Sequence, residues 1–198
     1  MIFASELGVW SLGFIFVPQS PRAIDITRTK EMTKILNAHY PDVLKVGVFT
    51  DSTEEFIREV VSVCSLDVIQ FHGEESPDFT KKFHKTKFKV FIIDDRLNFS
   101  SLIEDINRYQ DCIPLLDLPK GGNVSWDILL EIAYKLKETG KDFILAGGIG
   151  IDNIKDVIDL EPYAIDIARG VEISPRIKDK EKLKKIVELV KKEGREYV

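Results

Sequence analysis

The chain has 198 residues, 44% hydrophobic and 31% charged, with a net charge of −5, enough for one well-packed soluble domain. The negative balance argues against general nucleic-acid binding, which needs a basic face. The two cysteines, Cys64 and Cys112, are no disulfide framework and fit a reduced cytoplasm. The apolar stretch 9–17 has no Lys or Arg before it, is interrupted by Ser11 and Gly13, and is far too short to cross a bilayer. Neither a signal peptide nor a membrane anchor is expected.

Residues 1–8 read as the second half of a helix that stops at Gly8. Strands are then expected at 11–16, 45–50, 68–73, 89–93, 113–118, 143–148 and 164–167. Between them lie helical patterns with start signals. Ser52-Thr53-Glu54-Glu55 reads as a capping box, followed by Phe56, Val60 and Cys64 on one face. Ser76-Pro77 places a cap and an N1 proline before Phe79 and Phe83. Ser125 precedes the apolar stripe Ile128, Leu129, Ile132, Ala133 and Leu136, which Gly140 ends. Leu183, Ile186, Val187 and Val190 form the stripe of a last helix, whose lysines read as its solvent face.

Two of the strands stop at glycine. Phe143-Ile144-Leu145-Ala146 runs into Gly147-Gly148-Ile149-Gly150, and Ala164-Ile165-Asp166-Ile167 runs into Ala168-Arg169-Gly170. Glycine lets backbone N–H groups approach a ligand closely, and a following helix start favours an anion. Two such loops in succession imply a phosphate site on the last two strands of a barrel, and so a phosphorylated small-molecule ligand. The strict β–α alternation implies a parallel sheet covered by helices. An open doubly wound sheet is disfavoured because no Gly-x-Gly-x-x-Gly follows the first strand. The fold expected is therefore an α/β, (β/α)8 TIM-barrel, a single domain over residues 1–198. A closed barrel needs eight strands and seven are recognisable, so strand 1 is missing from the reading.

In order along the chain, these residues resemble the phosphoribosylanthranilate isomerase family of tryptophan biosynthesis. Leu12-Gly13-Phe14-Ile15-Phe16-Val17-Pro18-Gln19-Ser20-Pro21-Arg22 looks like its second strand and loop, Val46-Gly47-Val48-Phe49 like its third, and Val68-Ile69-Gln70-Phe71-His72-Gly73 like its fourth. Leu115-Leu116-Asp117 with Gly121-Gly122 and Ser125-Trp126-Asp127 looks like the sixth, and the two glycine-ended runs look like the seventh and eighth. Two-glycine loops occur in many phosphate-binding barrels, but the ordered set is specific.

The resemblance implies an Amadori rearrangement of an N-linked phosphoribosyl-anthranilate, without metal or other cofactor. A general acid protonates the ribose ring oxygen, and a general base removes the C2′ proton of the resulting iminium. Asp117 matches the family's acid; a plainer reading makes it a turn aspartate before Pro119. Arg22 matches the arginine that holds the anthranilate carboxylate, and a solvated loop arginine is the alternative. Gln70 and His72 alternate on one strand and so point the same way, into the substrate pocket, with no proton-transfer role given to His72. Asp166 is a ligand contact or else a structural hydrogen-bond acceptor. Gly147, Gly148, Arg169 and Gly170 form the expected phosphate grip. There the family pattern is Ser-Ser before the glycine, and this chain has Ala168-Arg169.

The larger departure is at the start. The family's first strand ends in Cys-Gly-Ile-Thr, whose cysteine is the base, and no such motif is present. Cys64 and Cys112 fall at the wrong ends of their elements to replace it and read as small packed thiols. Met1 falls inside a helical pattern, which favours a truncated sequence over a natural variant that forms a homodimer to cover its exposed sheet edges. Two other readings stay open: a histidine-pathway aminoaldose isomerase, and a non-catalytic barrel that binds a phosphorylated ligand. Arg22 separates the first, since a substrate without a benzoate needs no carboxylate clamp. The missing base favours the second.

Overall fold

The computed structural model describes residues 1–94, 96–119 and 125–192. Gly121 and Gly122 lie outside the described residues. The chain divides into two compact units, residues 1–88 and 89–198. In the first, α1 (Ile2–Glu6) precedes β1 (Ser11–Ile15), α2 (Ile26–His39), β2 (Leu44–Phe49), α3 (Glu54–Val63), β3 (Val68–Phe71) and α4 (Pro77–Thr80). Strand β4 (Thr86–Ile92) carries the boundary. The second unit continues with α5 (Phe99–Arg108), β5 (Ile113–Asp117), α6 (Trp126–Glu138), β6 (Ile144–Leu145), α7 (Ile154–Asp159) and β7 (Ala164–Ile165). A 3-10 turn at Arg169–Val171, a hairpin of β8 (Glu172–Ser174) and β9 (Ile177–Lys178), and α8 (Lys180–Lys192) follow.

All seven expected strands form, and sheet neighbours are chain neighbours. The ladders β1–β2–β3 and β5–β6–β7 are parallel. In the first unit Leu36, Ile57, Val60 and Cys64 from the helices pack on Phe49, Ile69 and Phe71 from the strands. In the second, Leu129, Ile132, Leu136, Val157, Ile186 and Val190 pack on Leu116, Leu145 and Ile165. Each large side chain removed from water this way contributes on the order of 1.5–3 kcal/mol before entropy is counted.

The helix starts follow the caps that the sequence advertises. Within the Ser-Thr-Glu-Glu box the capping oxygen is that of Thr53, which accepts from Phe56 N–H at 3.3 Å. Ser76 accepts from Phe79 N–H at 3.3 Å and Ser125 from Asp127 N–H at 3.2 Å. Gly8 and Gly140 follow their helices with φ of 73° each, a left-handed conformation that glycine adopts without strain.

Strand β4 starts at Thr86, not at residue 89 as expected. Lys87 and Lys89 resemble a polar interruption, but they are only 6% and 4% exposed. Lys87 Nζ donates to the Phe83 carbonyl at 2.8 Å, and Lys89 Nζ lies 5.7 Å from the centre of the Tyr109 ring. Their stems pack along the strand while the ammonium groups are satisfied. The β8–β9 hairpin was not expected either, since it has only three residues on one side and two on the other.

Candidate active site

The C-terminal ends of β5, β6 and β7 bring the predicted residues of the second unit together. Leu115 pairs with Ile144 and Ile144 with Ala164. Continued by two residues, that register puts Asp117, Ala146 and Asp166 in one row. The ladder persists to that level, because Ala146 N–H donates to Leu116 O and Asp166 N–H to Leu145 O, both at 2.8 Å. Leu116, Leu145 and Ile165 pack in the helix-side core, so by alternation Asp117 and Asp166 share the opposite face. Two strand spacings separate them by roughly 10 Å.

Gly147 and Gly170 are required by close approach. Gly147 and Gly148 have φ of 82° and 70°. A Cβ on Gly147 would lie 2.6 Å from Asp117 Oδ1 and 2.5 Å from Leu118 N, so its backbone passes directly against the Asp117 carboxyl. A Cβ on Gly170 would strike the Ile149 carbonyl oxygen and lie 2.9 Å from Gly150 Cα. The two glycine loops therefore touch. Asn153 folds the first one: its Oδ1 accepts from Gly150 N–H at 2.8 Å and its Nδ2 donates to Gly148 O at 3.1 Å. The backbone N–H groups of Gly147, Gly148, Arg169 and Gly170 have no acceptor among the described residues. Folded chains leave few such donors unpaired unless water or a ligand takes them. The exposed Arg169 guanidinium likewise has no hydrogen bond or ion pair among the described residues.

Asp166 accepts no hydrogen bond through its carboxylate among the described residues. Its surroundings are dense with protein, yet the residue stays exposed to solvent. Desolvation pushes its carboxyl above the ordinary value, and the Lys178 charge pulls it partly back. The exposure limits that shift.

In the first unit, Ile69 and Phe71 face the helix-side core, so Gln70 and His72 face away from it. Gln70 is 6% exposed, and its side-chain amide has no partner among the described residues. His72, half-buried just beyond β3, donates its backbone N–H to Phe49 O at 2.8 Å. Arg22 is half-buried, with its N–H donated to Ser20 Oγ at 3.2 Å.

Sequence reasoning missed Glu75 and Asp51, which clamp the ends of β2 and β3. Glu75, 6% exposed, accepts from Asp51 N–H at 2.9 Å and Gly73 N–H at 3.0 Å. Asp51 Oδ1 in turn accepts from Glu74 N–H at 2.7 Å. The short-range signal was only the His-Gly-Glu-Glu run, because the clamp's partners lie 23 and 24 residues apart.

Neither cysteine lies at the C-terminal end of a strand. Cys64 closes α3, buried, with Sγ 3.6 Å from Ile26 O, and burial pushes its thiol up. Cys112 precedes β5, with Sγ 3.7 Å from Asp111 Oδ1. A cavity of about 730 Å³ in the first unit, lined by Asn37, Arg58, Ser62, Asp67, His84 and Lys85, lies at the start of β3. His72 is at that strand's other end, and barrel chemistry gathers at C-terminal strand ends. Among the described residues no group of three or more His, Cys, Asp or Glu is placed to hold a metal ion, and no helix is long and apolar enough to cross a membrane.

A family model described as N-(5'phosphoribosyl)anthranilate (PRA) isomerase matches residues 1–189. The chain belongs to the N-(5'-phosphoribosyl)anthranilate isomerase family. It is 33% identical over 199 residues to the isomerase of Syntrophus aciditrophicus, covering 96% of this chain and 82% of that one. To the Acidithiobacillus ferrooxidans isomerase it is 32% identical, covering 95% and 90%. The crystal structure of the Thermus thermophilus phosphoribosyl anthranilate isomerase superposes with a TM-score of 0.81 at 31% identity, covering 96% of this chain and 92% of that one. A phosphoribosyl anthranilate isomerase in complex with reduced 1-(o-carboxyphenylamino)-1-deoxyribulose 5-phosphate gives 0.83 at 27%, with the same coverage. Monomers generated from the dimeric Thermotoga maritima enzyme give 0.79 at 27%, covering 96% and 91%. The (β/α)-barrel reading of this isomerase-family chain therefore stands, with seven β–α strands among the described residues.

Proposed function

We propose that this chain catalyses the Amadori rearrangement of N-(5′-phosphoribosyl)anthranilate to 1-(o-carboxyphenylamino)-1-deoxyribulose 5-phosphate in tryptophan biosynthesis. The reading rests on the row at the ends of β5, β6 and β7, where the Asp117 carboxyl meets two touching glycine loops with four unpaired N–H groups. Those N–H groups and the Arg169 guanidinium take the 5′-phosphate. Asp117 is the general acid. Protonating the furanose oxygen breaks the C1′–O4′ bond as the nitrogen lone pair forms an iminium. Loss of the C2′ proton then gives an enolamine, which tautomerises to the ketone. Arg22 is assigned to the anthranilate carboxylate, and Gln70, His72 and Asp166 to substrate contacts. The unpaired Gln70 amide supports its place among them.

The family's base, the cysteine of Cys-Gly-Ile-Thr, has no counterpart in this sequence, and Cys64 and Cys112 close or precede elements elsewhere. Turnover by the 198 residues is expected to lie on the order of 10²–10⁴-fold below that of a version preceded by a strand ending in Cys-Gly. An isomerase assay on both versions, each with and without Asp117→Asn, is the test. An inactive extended version sinks the enzyme assignment, and an Asp117→Asn enzyme as fast as its parent removes Asp117 from the acid's role.

We also propose a cytoplasmic homodimer. The Thermotoga maritima relative is described as dimeric, and both cysteines here are free thiols. Light scattering that finds only monomer would remove the dimer.

A further inference from the structure

We propose that Lys178 is a positioning residue for the phosphate grip: its ammonium group straps the Ala168 carbonyl and so aims the N–H of Arg169. The inference rests on the phosphate site proposed above. The hairpin places Lys178 directly opposite Glu172 in antiparallel register. There Lys178 Nζ donates to Ala168 O at 3.0 Å and pairs with Glu172 Oε1 at 3.2 Å. The Glu172 side chain is only 5% exposed, so the anchor is fixed, whereas Lys178 is 41% exposed at the surface end. Asp179 N–H donates to Val171 O at 2.8 Å and locks the hairpin to the turn that it follows.

The geometry of the peptide unit makes this strap functional. The carbonyl of Ala168 and the N–H of Arg169 belong to one planar trans peptide and point in opposite directions. Holding the oxygen toward Lys178 holds the N–H away from it. That N–H is one of the four donors with no acceptor among the described residues. Fixing its direction before the ligand arrives spares the ordering cost at binding. Lys178 also lies close enough to Asp166 to pull its carboxyl back toward the ordinary range, so one cation steadies two neighbouring parts of the row. In the sequence Lys178 stands just ahead of the lysine-rich last helix, and nothing nearby marks it.

The test is titration of the full chain with inorganic phosphate, followed by calorimetry, for wild type, Lys178→Met, Lys178→Arg and Glu172→Gln, with melting temperatures recorded alongside. Lys178→Met is expected to weaken phosphate binding roughly threefold to fivefold, the scale of an exposed charge-assisted tether. Lys178→Arg should recover most of that, and Glu172→Gln should weaken binding in the same sense. The double variant Lys178→Met with Glu172→Gln should lose no more than the larger single change, since both cut one strap. Phosphate binding by Lys178→Met equal to wild type overturns the proposal. A loss of far more than tenfold overturns it too, because Lys178 is then a direct ligand. A wild-type chain that binds no phosphate overturns the site itself, and the strap with it.

Discussion

At the end of β7 the Asp166 carboxyl reaches water from a crowded row, and its charged form is the disfavoured one. Its folded-state value lies above the ordinary 3.8, so the folded protein holds that proton more tightly than the unfolded chain does. The stability contributed is full below the unfolded value and is lost as pH rises through the raised one. Asp166→Asn should therefore gain stability relative to wild type as pH climbs from the acid range to neutrality. Denaturant unfolding of both proteins at about pH 4 and about pH 7 checks this, and an identical difference at both would defeat it. Arg176 holds a strained backbone. It follows Pro175 with φ 74° between the paired residues Ser174 and Ile177, the arrangement of a type II turn that favours glycine. Arg176→Gly is expected to stabilise the protein by about 0.5–1 kcal/mol, the left-handed cost less glycine's greater freedom when unfolded. Unfolding midpoints that do not rise would show that the arginine side chain offsets its own strain. Residue identity was legible at Asp117, Gly147 and Gly170. Their mutual contact was not, because a Cβ clash between residues 30 apart, as for Gly147 with Asp117, leaves no local trace.

Elements were legible wherever one short stretch carries its own cause. Caps at Ser76 and Ser125, stripes in α6 and α8, and glycine stops all act within one or two turns. They failed where burial contradicts residue type, as for Lys87 and Lys89 in β4, and where a pairing is too short to show periodicity, as in β8 and β9. The Glu75 clamp belongs to this scale, since it ties the loop after β2 to the loop after β3. Removing its carboxylate takes away the acceptor that the Asp51 and Gly73 N–H groups share. Glu75→Ala is expected to cost about 1–3 kcal/mol, measured by chemical denaturation. A change below a few tenths would mean that water replaces the clamp at no cost.

For the whole molecule, the single-domain expectation meets a chain with two compact units whose boundary falls inside β4. A strand is a stiff connection, unlike the exposed polar linkers that separate domains. We expect one cooperative unfolding transition, coincident by circular dichroism and tryptophan fluorescence. Two resolved transitions would replace the single domain by two folding units. From its residue order alone, this protein's class, strand count, family and glycine-ended strands could be read, because periodicity, caps and glycine stops act over a few residues. Tertiary structure alone placed Asp117, Ala146 and Asp166 in one row, brought the Gly147 and Gly170 loops into contact, and set Lys178 against the Ala168 carbonyl. Register between strands and approach between loops depend on packing far along the chain, and no local pattern encodes that.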